Sequence, residues 1–260
     1  MCSTGEASME RERNDREQRE SLDGGQQLYE QGKWQEALRV YNHAIRLWPS
    51  DERFYYARGF LHFKLDEYIS AIQDLTRVIV INPGFSRVRV HELRGSAYFE
   101  MGEFGRAISD LTKAIEMGPA NLEAYLIRGI SSMKTGQYKE AIADFEMLLQ
   151  HSWYEERALV ALGDCYTASG EYGPAIECYS RLVDRGPFSA WLHMRRATAY
   201  QKSGNFRAAM GDYRRLVDFY NDLIENDPKQ GWVYSTRGLI LEKLGRHRDA
   251  REDYRRAEGM

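Results

Sequence analysis

The intrinsically reactive groups in this chain are six histidines (His43, His62, His91, His151, His193, His247), three cysteines (Cys2, Cys165, Cys178) and close carboxylates such as Glu225/Asp227 and Glu252/Asp253. Metal binding needs ligands that converge, as paired cysteines or as histidines one helical turn apart. No histidine falls into a metal-like set at i+3 or i+4, and there is no CxxC. Nucleophilic and phosphate chemistry usually announces itself through GxSxG, HExxH, GxGxxG or GxxxxGK[ST], and none of these occurs. The two carboxylate pairs read as solvated charge. The expectation is therefore a chain that is not an enzyme, with no catalytic residues, no metal and no cofactor.

The odd cysteine count argues against a disulfide framework and for a reducing compartment. Cys165 and Cys178 read as small buried hydrophobes. Of the 260 residues 43% are hydrophobic and 29% charged, with a formal net charge of −3. That is ample for a core and gives no global electrostatic case for nucleic acid or an anionic membrane. No apolar run approaches 18 residues, so no membrane span is expected. The N-terminal stretch MERERNDREQRE has no hydrophobic signal core. These features point to the cytoplasm, with the nucleus as the alternative. Residues 1–17 cannot bury enough apolar area to offset ordering and are expected to form a disordered charged tail.

What must position any functional group is a repeat. Gly95, Tyr98, Gly102, Phe104, Ala107, Leu111, Ala114 and Pro119 recur as Gly163, Tyr166, Gly170, Tyr172, Ala175, Tyr179, Leu182 and Pro187. Seven alanines anchor the units (Ala37, Ala71, Ala107, Ala141, Ala175, Ala209, Ala250), spaced by 34, 36, 34, 34, 34 and 41 residues. If the alanine is position 20, position 15 is glycine in six units and Asp66 in the second, and position 8 is glycine or Ala197. Apolar residues between the punctuation follow i, i+3, i+4, i+7, as in Ala107, Ile108, Leu111, Ala114 and Ile115. Glycine at position 15 stops a first helix, and proline at position 32 follows a second. Each unit is thus an antiparallel helix pair that can bury its apolar stripe only by stacking on neighbours.

This pattern resembles the tetratricopeptide repeat family. The resemblance implies an all-α fold, a right-handed α-α superhelix of seven helix pairs over residues 18–260. The units fall at about 18–51, 52–85, 88–121, 122–155, 156–189, 190–230 and 231–260. The extra residues between units six and seven carry Leu216, Val217, Phe219, Tyr220, Leu223 and Ile224 with no breaker before Pro228. They predict an overlong second helix that shifts unit seven or projects as a contact surface.

The resemblance also implies where a ligand would sit, on first-helix positions 2, 5, 6, 9, 12 and 13. In units two to four those positions hold Tyr56, Phe60, Phe63, Leu93, Phe99, Leu126, Ile127, Ile130 and Met133, rimmed by Arg53, Lys64, Arg89, Lys134 and Arg157. An apolar patch of this kind fits an amphipathic helix or apolar segment of another protein. Some family members clamp chaperone C-terminal carboxylates with Lys, Asn and Arg at fixed positions. Here Leu22, Gln26, Ala57 and Leu93 occupy those places, and only Arg89 fits, which argues against a chaperone-tail receptor. The expectation is a non-catalytic scaffold or adaptor. The alternatives are nucleic-acid contact through Arg246, Arg248, Arg251, Arg255 and Arg256 of the basic last unit, and self-association.

Overall fold

The computed structural model describes the backbone of residues 3–118 and 121–260, and the side chains of these except residues 3–8 and 11. Cys2 and Pro119 therefore lie outside the described residues. The chain divides into two compact units, residues 1–137 and 138–260. The first holds helices α1 (Ser3–Glu30), α2 (Trp34–Leu47), α3 (Glu52–Lys64), α4 (Tyr68–Ile81), α5 (Arg87–Glu100), α6 (Phe104–Met117) and α7 (Leu122–Lys134). The second holds α8 (Tyr138–Leu149), α9 (Glu155–Ser169), α10 (Tyr172–Val183), α11 (Ala190–Lys202), α12 (Phe206–Asn226), α13 (Gly231–Lys243) and α14 (His247–Glu258), with a short 3₁₀ turn at Ser152–Tyr154. No strand occurs among the described residues. The fold class is the all-α one of tandem antiparallel helix pairs.

The turn inside each pair explains its glycine. At position 15 Gly32, Gly102, Gly136, Gly170, Gly204 and Gly245 all have φ between 74° and 88°, and Asp66 stands in the same region at 60°. A side chain there meets the following carbonyl, so Gly102→Ala is expected to cost about 1–2 kcal/mol. Thermal melts check it, and an unchanged midpoint would remove the turn as a determinant of stability. The small residue at position 8 has a different reason. A Cβ built on Gly163 would come 2.5 Å from the Tyr179 ring of the facing helix. The seven anchor alanines are buried, as are Leu75, Leu111, Phe145, Tyr179 and Tyr213 at position 24.

A second ladder runs through both units. Arg58 forks Asp74 with Nε and Nη2 at 2.8 and 2.6 Å, and the same fork joins Arg94 to Asp110, Arg196 to Asp212 and Arg237 to Asp253. The free Nη1 of each arginine then reaches back to the preceding second helix. It donates to Asn42, Thr76, Ser180 or Asn221, and Arg128 donates to Thr112 in the same way. Each of the four forked arginines thus ties its own pair together and ties that pair to the one before.

Two stretches differ from simple repeats. Residues 3–17 are helical, where the sequence led us to expect a disordered tail. The reason is propagation: Leu22, Leu28 and Tyr29 pack on the Ala37–Tyr41 cluster and supply the nucleus, after which each further residue costs little. Arg, Glu and Gln are good helix formers. Trp48 Nε1 donates to Asn14 and Arg53 Nη2 to Gln18, which tethers the extension. The second stretch is α12, which runs for 21 residues while the other second helices have 12 to 14. Its extra turns are packed inward. Leu216, Val217 and Tyr220 are buried with Val233 and Ile240, and Phe219 meets Phe188 at 4.9 Å.

Candidate functional site

In the N-terminal unit each first helix approaches the next, in the order α1, α3, α5, α7. Between them lie two adjoining hollows of about 280 and 640 Å³ that share Tyr56, Phe60 and Arg89. The smaller is aromatic, with Tyr29 of α1 edge-on to Phe60 at 5.6 Å and Tyr41 beneath. The larger continues along α5 past Leu93 and Ser96 to Asn121. Lys64 Nζ stands 5.5 Å over the Phe60 ring. Glu92 accepts the backbone N–H of Asn121 at 2.8 Å and so is engaged at the start of α7. Burial pushes the Tyr56 hydroxyl above its ordinary pKa, and the Arg89 guanidinium beside it partly offsets this.

The structure brings together only part of the sequence-predicted set. Tyr56, Phe60 and Leu93 line the hollows. Phe63 and Phe99 instead rest edge-on against Tyr68 and Phe104, at 5.7 and 5.9 Å, and close the turns of their own pairs. Leu126 is 4% exposed and belongs to the core, buried on α7 one turn before Gly129. Ile127 packs on the Leu111 cluster. Ile130 and Met133 are half-buried on α7 and border neither hollow. On the rim, Arg89 and Lys64 are exposed, as is Lys134. Arg53 is occupied by Asp51, and Arg157 belongs to the C-terminal unit, where it lies over the Tyr154 ring.

Sequence reasoning missed Tyr29, Val88 and Asn121. Tyr29 was legible, since it holds position 12 of unit one, but the weak periodicity of that helix hid it. In the C-terminal unit the first helices carry large exposed apolar groups: Trp191 is 48%, Trp232 59% and Leu239 49% exposed.

The reactive groups are otherwise absorbed by structure. His91 Nδ1 donates to Asp110 at 3.0 Å and His193 Nδ1 to Asp212 at 2.9 Å, both buried, and each aspartate is forked by an arginine. His62 is bound to Glu67 at 2.5 Å. Burial raises both the Cys165 and Cys178 thiols to about 11, which makes them inert. Asp253, read as surface charge, is buried under Arg237, while Glu225, Asp227 and Glu252 are exposed. Among the described residues no His/Cys/Asp/Glu group could hold a metal, and no helix is long and apolar enough to cross a membrane.

Tandem helix pairs whose first helices face a shared hollow define an α-helical repeat protein. The chain belongs to the tetratricopeptide repeat family. A TPR repeat model matches residues 25–66, and tetratricopeptide repeat models match 93–156 and then 156–186 with 233–260, together more than half of the chain. No curated protein matches it. Among solved structures it is similar to a tetratricopeptide repeat protein from Parabacteroides merdae ATCC 43184, with 21% identity, 94% of this chain and 93% of that one covered, and a TM-score of 0.65. The C-terminal part of a TPR repeat-containing protein from Cytophaga hutchinsonii is 17% identical over 86% and 93% of the two chains, with a TM-score of 0.65. YrrB, a TPR protein with an unusual peptide-binding site, is 17% identical over 68% and 91%, with a TM-score of 0.60. At these identities the likeness is one of fold. Tetratricopeptide repeats in general mediate protein–protein interaction and are typically non-catalytic.

Proposed function

We propose that this chain is a non-catalytic adaptor that takes an amphipathic helix or apolar segment of another protein along the first helices of its N-terminal unit. The observation that carries the reading is the pair of hollows meeting at Tyr56 and Phe60, because an aromatic depression between helices is what a side-chain anchor fills. Ile130 and Met133 extend the half-buried apolar strip along α7. YrrB supports the reading only as a fold relative that carries a peptide-binding site. The buried, unbridged Cys165 and Cys178 suit the reducing cytoplasm as the setting.

The test uses phage-displayed helical peptides selected on the full chain, with winners resynthesised and titrated. The wild type is expected to enrich peptides with apolar residues at i, i+3 and i+4. Phe60→Asp combined with Ile130→Asp is expected to weaken them by about 30-fold or more, the effect of losing a buried aromatic anchor. Undiminished binding by the double variant, with normal circular dichroism, would move the site elsewhere.

A further inference from the structure

The rim of the hollows carries charge with a sign. Of the arginines on α3 and α5, Arg53, Arg58 and Arg94 are spent on Asp51, Asp74 and Asp110. Arg87 and Arg89 are not. Both are exposed, and no carboxylate among the described residues is bonded to either. Arg89 belongs to both hollows and, with Arg87 and Val88, to an adjoining concavity of about 460 Å³ at the start of α5. Lys64, likewise without a carboxylate partner among the described residues, stands over Phe60. The one carboxylate in the lining, Glu92, already accepts the Asn121 N–H. The apolar floor is therefore bordered by three cations to which no carboxylate among the described residues is bonded.

We propose that the segment bound here is acidic as well as amphipathic: an apolar side chain fills the Tyr29–Tyr56–Phe60 hollow, and glutamate or aspartate side chains of the same segment pair with Arg89, Arg87 and Lys64. This rests on the groove reading above and adds the charge of the partner. The physical case is a division of labour. Apolar insertion supplies area but little discrimination, whereas guanidinium–carboxylate forks at the rim set orientation and reject basic segments. Side-chain carboxylates suffice, so a free C-terminus is not required. The missing asparagines of the carboxylate clamp agree with this.

The probes are fluorescein-labelled 16-residue helical peptides, acetylated and amidated, with leucine at the anchor positions and either glutamate or lysine flanks. A third probe restores the free carboxylate, and a 16-nucleotide single-stranded RNA is the fourth. Anisotropy is measured on the full chain at low and high salt. The glutamate peptide is expected to bind at least about tenfold tighter than the lysine peptide, with the advantage shrinking in salt. Arg89→Gln is expected to erase most of that advantage, about tenfold, without moving the melting curve, because the side chain is exposed and bonds to no carboxylate among the described residues. In Arg87→Glu with Arg89→Glu the preference should invert. Equal affinity for both peptides, lost in the Phe60→Asp/Ile130→Asp variant, overturns the charge proposal and leaves the groove reading standing. Binding by neither peptide overturns both. Binding that needs the free carboxylate, or tighter binding of the RNA at the same arginines, also overturns the acidic-segment proposal.

Discussion

Asp212→Ala is expected to remove about 3–5 kcal/mol of unfolding free energy, because it strands a buried cation. Asp212 is 3% exposed and both its oxygens are taken: Arg196 donates through Nε at 2.9 Å and Nη2 at 2.8 Å, and His193 through Nδ1 at 2.9 Å. Arg196 is itself 8% exposed and, among the described residues, keeps only the Ser180 hydroxyl as a hydrogen-bond partner once the carboxylate is gone. The pair's net worth against an apolar replacement is small, but the cost of breaking it from one side is not. The exposed pair Arg246–Asp249 gives the contrast, since Asp249→Ala should move stability by about 0.5 kcal/mol or less. Urea titrations of both variants measure the difference.

The pH dependence separates charge from shape. Burial alone would raise the Asp212 carboxyl, but the Arg196 and His193 hydrogen bonds outweigh it and hold the group below its ordinary range. A carboxyl depressed in the folded state contributes stability that is fully present above its unfolded pKa of about 4 and is lost as pH falls through the native value. The gap between wild type and Asp212→Asn should thus be wide at neutral pH and narrow below about pH 4. A gap that ignores pH would mean that the carboxylate acts by shape and hydrogen bonding rather than by charge.

This ladder marks the limit of what the sequence disclosed. The period, the helix pairs, the turn glycines and the buried alanines were readable because each follows from a local rule: a φ that glycine tolerates, a helical spacing, a helix that proline ends. Arg58 and Asp74 are 16 residues apart on different helices, and no local rule joins them. They were visible only as a recurring Arg at position 7 and Asp at position 23, and Asp253 passed for surface charge next to Glu252. The groove shows the same divide. First-helix positions named Tyr56, Phe60 and Leu93, but spacing could not tell that Phe63 and Phe99 would be used up by Tyr68 and Phe104. Nor could it tell that Leu126 faces inward, since all three belong to one apolar alphabet and only packing sorts them.

The extended helix α12 allows a prediction in which one number decides the outcome. Excising seven residues, 214–220, is expected to leave a folded array, whereas excising five, 214–218, is expected to unfold the last helix pair. Seven residues rotate a helix by about 700°, within about 20° of two full turns, so the insertion keeps its phase. The contacts follow that logic. Tyr213 faces α11 and donates to Gln201, while Tyr220, seven residues on, is buried against the α13 side. Arg237 takes Asn221 at 2.7 Å across the same 16-residue separation that joins Arg58 to Asn42. The last pair has therefore docked two turns further along α12, on a Tyr220–Asn221 edge that repeats Tyr41–Asn42. The seven-residue excision joins Tyr213 directly to Asn221 and restores the ordinary spacing to Pro228. The five-residue excision turns everything after the cut by about 140° and carries Tyr220, Leu223 and Ile224 away from Val233. Each such side chain is worth about 1.5–3 kcal/mol of burial, more in sum than one pair could lose. Limited proteolysis read at residues 231–260 should show protection in the longer excision and cleavage in the shorter one. Equal protection in both would mean that α13 and α14 are held by something other than the phase of α12.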